Sequence, residues 1–255
     1  MKKKNLIIST ACVGFVALLY TILVAIVDKN PIGPNNSYVG FSTINGFFKE
    51  LIGENGTFYT ITKYTGILII LVALGYLIYA AIEWLKRKSF KKIDIELIVF
   101  GIFCIAVAII YTFFELIKIN YRPILIDGKL EPSYPSSHTL LAVFICIAST
   151  FINNKIISNK NTRTICNTFV LCIGAITIIG RIASGVHWIT DIVGGILIST
   201  SLVIGYALVL EIIKTRKQKD EQINVENNNS QIEKIENTND NTIKTRKNKK
   251  AKKDQ

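Results

Sequence analysis

Histidine is nearly missing from this chain: there are two in 255 residues, with one methionine, two tryptophans and five prolines. Cysteine occurs five times, but Cys12, Cys104, Cys146, Cys166 and Cys172 all fall inside apolar runs and show neither metal-site nor redox spacing. They read as small core residues. No internal period is present, which excludes a repeat array. Acidic residues are the minority charge, 18 against 30 Lys and Arg, for a formal charge of +12. Yet half of the residues are hydrophobic and mean hydropathy is +0.39, too apolar for one soluble domain. High apolarity and high charge are compatible only if they are segregated, and here they are.

Apolar residues fill six runs, at about 5–27, 59–84, 95–117, 139–153, 164–180 and 189–212. Each approaches the roughly 20 residues that cross a bilayer core; the fourth is short and needs support from its neighbours. Lys and Arg fill the gaps: Lys2, Lys3 and Lys4, then 86–92, then Lys155, Lys160 and Arg163, then 214–219. In a six-span zigzag these clusters all lie on one face, which the positive-inside rule makes cytoplasmic. The expectation is an all-α, polytopic membrane helix bundle with both termini cytoplasmic. Loops 28–58 and 120–137 and a turn near Gly185 then face outward. The first run is longer than a signal-peptide core and has no small-x-small site before Asp28, so it reads as a retained helix.

The chain divides at about residue 213. Residues 1–213 form the membrane domain; 214–255 are rich in Asn, Lys, Glu and Gln and read as a charged, disordered cytoplasmic tail. The basic cluster at 244–253 suits anionic membrane lipids or plain solvation, and no nucleic-acid role is indicated. In the first outward loop, Phe47, Phe48 and Leu51 are spaced for an amphipathic helix lying on the membrane.

The two histidines both sit where an outward loop meets a span. His138 follows Pro135-Ser136-Ser137, and His187 follows Arg181 and precedes Asp191 by four residues. With helix from Trp188 onward, His187 and Asp191 share a face one turn apart, so the carboxylate can hold the imidazole. Arg122-Pro123 lies just after the third span. Ionisable groups at such positions are costly unless they pair or bind something. Together they suit a phosphate ester. Arg122 and Arg181 can fork onto phosphate oxygens, and Ser136 and Ser137 at a helix start add donors toward an anion. One imidazole oriented by a carboxylate can attack phosphorus while a second protonates the leaving alkoxide. The guanidiniums supply the positive charge, so neither metal nor cofactor is required.

These segments resemble the type 2 phosphatidic acid phosphatase family, marked by K-x6-R-P, P-S-G-H and S-R-x5-H-x3-D. Here they read Glu115-x6-Arg122-Pro123, Pro135-Ser136-Ser137-His138 and Gly180-Arg181-x5-His187-x3-Asp191, and the resemblance spans roughly residues 95–195. It implies His187 as nucleophile, Asp191 as its orienting carboxylate, His138 as general acid, and Arg122, Arg181, Ser136 and Ser137 as phosphate ligands. It further implies a metal-independent phosphatase with a phosphohistidine intermediate, an extracytoplasmic site in the cell membrane, and a lipid phosphate as substrate: undecaprenyl diphosphate, phosphatidate or phosphatidylglycerophosphate.

Three positions depart from the pattern. Glu115 stands in place of the Lys; Lys118, one turn before Arg122, is positioned to substitute for it, or Glu115 to pair with Arg122. Ser137 replaces Gly, and Gly180 replaces Ser. The alternatives to a phosphatase are a lipid phosphotransferase, a metal-dependent hydrolase liganded by His138, His187 and Asp191, and a catalytically silent scaffold. Arg122 and Arg181 would repel the cation of the second.

Overall fold

The computed structural model describes the backbone of residues 2–89 and 93–251 and the side chains of 3–89 and 93–226. Lys91 and Lys92 of the second basic cluster, and the side chains of the 244–253 cluster, lie outside the described residues. Among the described residues there are seven α-helices and no strand: α1 (Lys2–Ile26), α2 (Ser42–Ile52), α3 (Gly56–Arg87), α4 (Ile95–Ile117), α5 (Ser137–Ile156), α6 (Lys160–Ala183) and α7 (Ile189–Ala251). All but α2 contain a stretch long and apolar enough to cross a membrane, and the chain is a multi-pass membrane protein. Its outer surface agrees: Phe15, Leu18, Leu71, Ile105, Ile109, Leu116 and Phe169 are exposed, a distribution that water would penalise and lipid does not.

The apolar runs place the spans, but the helices at the active end are longer than the runs. α5 begins at Ser137 and α6 continues to Ala183, so His138 and Arg181 lie within helices. A polar side chain that faces other helices ends the hydropathy signal without ending the helix. The short fourth run is the centre of the bundle: 61% of the apolar window of α5 is buried, against 11–33% for the other spans. α5 packs on α3, α4 and α6, and α3 also packs on α6. Phe144 of α5 is fully buried among Phe100, Phe103 and Tyr206.

Within a bilayer, helices associate through close packing and interhelical hydrogen bonds rather than through escape from water. The α3–α6 seam shows both. Thr177 donates to Thr65 at 2.7 Å, and Gly180 lies so close to α3 that a Cβ there would overlap Thr62 Cγ2. The glycine standing where the related motif has serine therefore belongs to this packing. Of the cysteines only Cys146 is buried; Cys12 and Cys172 are exposed, a correction to their reading as core residues. A thiol is apolar enough to face lipid.

The loop at 28–58 forms α2, as the spacing of its aromatics predicts, with Phe47 and Leu51 exposed. Its N-terminus is capped from a distance: Asp28 accepts from Thr43 N–H at 2.7 Å and from the Ser42 hydroxyl at 2.8 Å. Asn45 fastens α2 to the start of α7, donating to Thr190 Oγ1 at 2.9 Å and accepting from Thr190 N–H at 3.3 Å.

The chain resolves into two units, Met1–Leu210 and Glu211–Gln255. In the second, the backbone is helical through Ala251 and the side chains of 214–226 are exposed. Where composition indicates a tail without a core, the backbone is thus helical; Lys, Glu and Gln all have good helix propensity.

Candidate active site

His187, Asp191, Arg122, Arg181 and His138 come from four separate segments, each positioned by its own local device. His187 lies in the turn between α6 and α7. Gly185, with φ of +66°, ends α6 in the left-handed conformation and packs against the Gly53 carbonyl. Trp188 then caps α7, and Asp191, three residues on, accepts from the Trp188 N–H at 3.0 Å, half of a capping box. That bond, with Asn120 Nδ2 at 3.4 Å from the other oxygen, fixes a fully buried carboxylate. Its Oδ2 is 3.5 Å from His187 Nδ1. The one-turn pairing read from the H-x3-D spacing is present.

His187 Nε2 faces the other way, 3.2 Å from Arg122 Nη1. A guanidinium only donates, so Nε2 offers its lone pair and the ring proton sits on Nδ1, facing Asp191. Burial first, and then Arg122, Arg181 and His138, hold the His187 imidazole well below its ordinary value of 6.5. The nucleophilic form therefore persists into mildly acidic solution. In the unfolded chain this imidazole takes up a proton below about pH 6.5 that the folded protein refuses, so stability falls as pH drops through that value. Thermal unfolding followed between pH 7 and pH 5 should show the midpoint falling, and falling less in His187→Gln.

Arg122 is carried on a short hairpin. Its N–H donates to the Glu131 carbonyl at 3.0 Å, Ser133 N–H donates to the Asn120 carbonyl at 2.9 Å, and Asp127 and Gly128 turn the chain, both at positive φ. The Arg122 Nε lies 3.1 Å from the Glu131 carboxylate. Arg122 is thus paired with Glu131, and among the described residues no ion pair joins it to Glu115.

Arg181 is 2% exposed. Its Nη2 lies 2.5 and 2.6 Å from the two ring nitrogens of His138, and its guanidinium carbon is 5.5 Å from the Tyr59 ring centre. Nε and Nη1 have no hydrogen-bond partner, and no carboxylate pairs with it among the described residues. A buried cation with two idle donors is expensive unless an anion completes it.

A small cavity lies in front of His187, lined by Tyr111, Phe114, Glu115, Arg122, Ser133, Tyr134, Ser137 and flanking prolines. Ser137 at the first turn of α5 thus faces the site. Ser136 stands behind it, its N–H given to the Asp191 carbonyl and its hydroxyl accepting from Thr139 at 3.0 Å. Lys118 is not brought in. It caps α4 at φ +53°, is exposed, and is absent from the cavity lining, because the left-handed turn there redirects the chain. Sequence reasoning missed Asn120 and Glu131; the Asp-Gly pair at 127–128 was the available signal for the hairpin that places both. Among the described residues no group of three His, Cys, Asp or Glu is arranged to hold a metal ion.

The fold and this geometry define a multi-pass helical membrane protein with a buried cationic and imidazole site at one end of its bundle. The resemblance seen in the motifs holds: residues 103–214 match the model of the PAP2 superfamily, a stretch containing all three motifs. Among solved structures, the chain is similar to the crystal structure of the first transmembrane PAP2 type phosphatidylglycerolphosphate phosphatase from Bacillus subtilis. The two share 16% identity with a TM-score of 0.52, over 80% of this chain and 96% of that one. A comparison with curated proteins gives no match.

Proposed function

We propose that this protein is a membrane lipid-phosphate phosphatase working through a phosphohistidine intermediate. The observation that carries the reading is Arg181, a buried guanidinium with two unpartnered donors beside the His138 imidazole. In the proposed reaction the substrate phosphate takes the place that Arg122 now holds against His187, gripped by Arg122 and Arg181 and by donors from Ser137 at the start of α5. His187 Nε2 attacks phosphorus, forming the P–N bond as the P–O bond to the leaving oxygen breaks. His138 gives that oxygen its proton, and the Asp191 carboxylate stabilises the charge arising on His187. His138, now a base, removes a proton from water as the water attacks phosphorus; the P–N bond breaks and phosphate leaves. The arginines supply the charge a metal would otherwise bring.

A lipid is favoured over a soluble ester by the setting. An apolar groove of about 560 Å³ runs between α1, α4 and α7, lined by Ala17, Leu18, Ile22, Ile110, Phe113 and Leu202. Phe114 lines both this groove and the phosphate cavity, so a hydrocarbon chain in one can carry its phosphate into the other; the volume is ordinary for a small-molecule site. Phosphatidate, phosphatidylglycerophosphate and undecaprenyl diphosphate all fit this description. The distribution of the basic loops supports a site on the extracytoplasmic face with both chain ends cytoplasmic.

Detergent-purified protein should release phosphate from one or more of these three lipids in excess EDTA. Release only after a divalent ion is restored would replace the histidine mechanism with a metal-dependent one. No release from any of them by folded protein would overturn the phosphatase reading and favour a phosphotransferase or a silent relative.

A further inference from the structure

Asp191 is backed by a ring of buried hydrogen bonds that leads out of the site to the loop before α2, and Asn120 stands between the two. Asn120 falls among the unspecified positions between Glu115 and Arg122 in the first motif. Its side chain is fully buried, and its backbone carbonyl accepts from the Ser133 N–H at 2.9 Å, which holds it in the hairpin. One end of the side chain accepts from the Gly40 N–H at 3.0 Å; at the other, Nδ2 lies 3.4 Å from Asp191 Oδ1. Chemistry sets this orientation: a backbone N–H only donates, so the amide oxygen faces Gly40 and the amide nitrogen faces the carboxylate. Gly40 is held on both sides. A Cβ there would overlap the Val24 carbonyl of α1, and its own carbonyl accepts from Asn45 Nδ2 at 2.7 Å. Asn45 goes on to Thr190, the neighbour of Asp191, and the ring closes.

In the proposed reaction Asp191 works by staying ionised with Oδ2 toward His187 Nδ1. If Oδ1 lost its donor, a buried oxygen would be left unpaired, and the carboxyl would relieve that cost by turning or by taking a proton. Either change removes negative charge from behind the imidazole as that ring becomes positive. We propose that Asn120 is a positioning residue, through which the loop before α2 keeps Asp191 ionised and aimed at His187. This rests on the phosphatase reading above, and the experiment separates the two.

Two variants are assayed as detergent-purified protein on the fastest of the three lipids named above. Asn120→Leu fills a similar space without a donor. Its kcat should fall about tenfold to a hundredfold, the worth of one hydrogen bond to a buried charge, with KM within about threefold because Arg122 and Arg181 still hold the phosphate. Asn120→Asp keeps the shape and the acceptor for Gly40. Protonated, the new carboxyl donates to Asp191 as the amide does; the charge stays on Asp191, which has the Trp188 N–H and His187 beside it. Once that shared proton is lost, two carboxylates face each other. The ratio of its kcat to that of wild type should therefore be near one at pH 5 and fall at least tenfold by pH 9. The other groups that face Asp191 are His187, Trp188 and Ser133 close by, and Tyr20, Tyr134 and Arg122 beyond them. All are common to both proteins, so the ratio reports the new carboxyl. A residue that only stabilises the fold would lower the melting temperature and leave kcat of the folded protein, and its pH profile, unchanged. With an active wild type, an unchanged kcat in Asn120→Leu or a flat ratio for Asn120→Asp overturns the assignment, and the ratio decides alone if Asn120→Leu does not fold. Folded wild type that releases no phosphate overturns the phosphatase reading, and this inference with it.

Discussion

Replacing His187 with alanine should lower phosphate release by about four orders of magnitude or more, the loss expected when a covalent nucleophile is removed from a machinery that acts as a unit. The argument rests on the two faces of the ring. Nε2 points at Arg122, where the phosphate is to bind, and Nδ1 points at a carboxylate fixed by the Trp188 N–H and Asn120. No other imidazole is so placed, since His138 has both ring nitrogens against Arg181. Wild type denatured in alkaline detergent after incubation with a phosphate-labelled lipid should retain label whose stability in base and loss in acid identify phosphohistidine, and His187→Ala should retain none. Activity within tenfold of wild type in that variant would move the chemistry elsewhere, to direct attack by water between the arginines. The substitution leaves a small void next to Asp191, so an unchanged melting temperature is the control that assigns the loss to chemistry.

Arg181→Lys is the second large effect, and it tests the observation on which the function rests. Lysine keeps the charge but loses the fork, the delocalised face that lies over Tyr59, and one or both of the idle donors. Losing one preorganised donor to a developing oxyanion costs about 10²–10³ in kcat, and that is the expected fall here. A purely structural arginine would behave differently: the melting temperature would drop while kcat per folded molecule stayed constant. Arg181→Ala with added guanidinium offers a complementary readout, because a vacated anion receptor should regain part of its activity and a broken helix seam should not.

Much of this architecture is written locally in the chain, and the parts that are not share a physical character. Six spans are legible because membrane solvent demands long apolar runs with charges between them. The His187–Asp191 pair is legible because one helical turn spans it and Trp188 caps that turn. By contrast, the contact of Arg181 with His138 joins residues 43 apart on two helices, and nothing in the periodicity of either helix announces it. Lys118 shows the opposite error: spacing placed it one turn from Arg122, but the helix ends at that residue in a left-handed cap and the spacing argument ends with it. Arg122 and Asn120 reach the site on a hairpin whose Asp127-Gly128 turn is readable, whereas the partners of Asn120 and Asn45 are not. An asparagine has no hydropathy signature; its role exists only once its partner is in place.

The tight seam between α3 and α6 makes the third motif historically contingent. Thr62 is fully buried, and its hydroxyl is committed to the Tyr59 carbonyl at 2.9 Å, which fixes the methyl against Gly180. A serine at 180, the residue of the related motif, has no room while that methyl is there. The two positions are therefore epistatic: a mutational path from this sequence to the serine form must first pass through a smaller residue at 62, and a library that varies position 180 alone would wrongly score serine as intolerable.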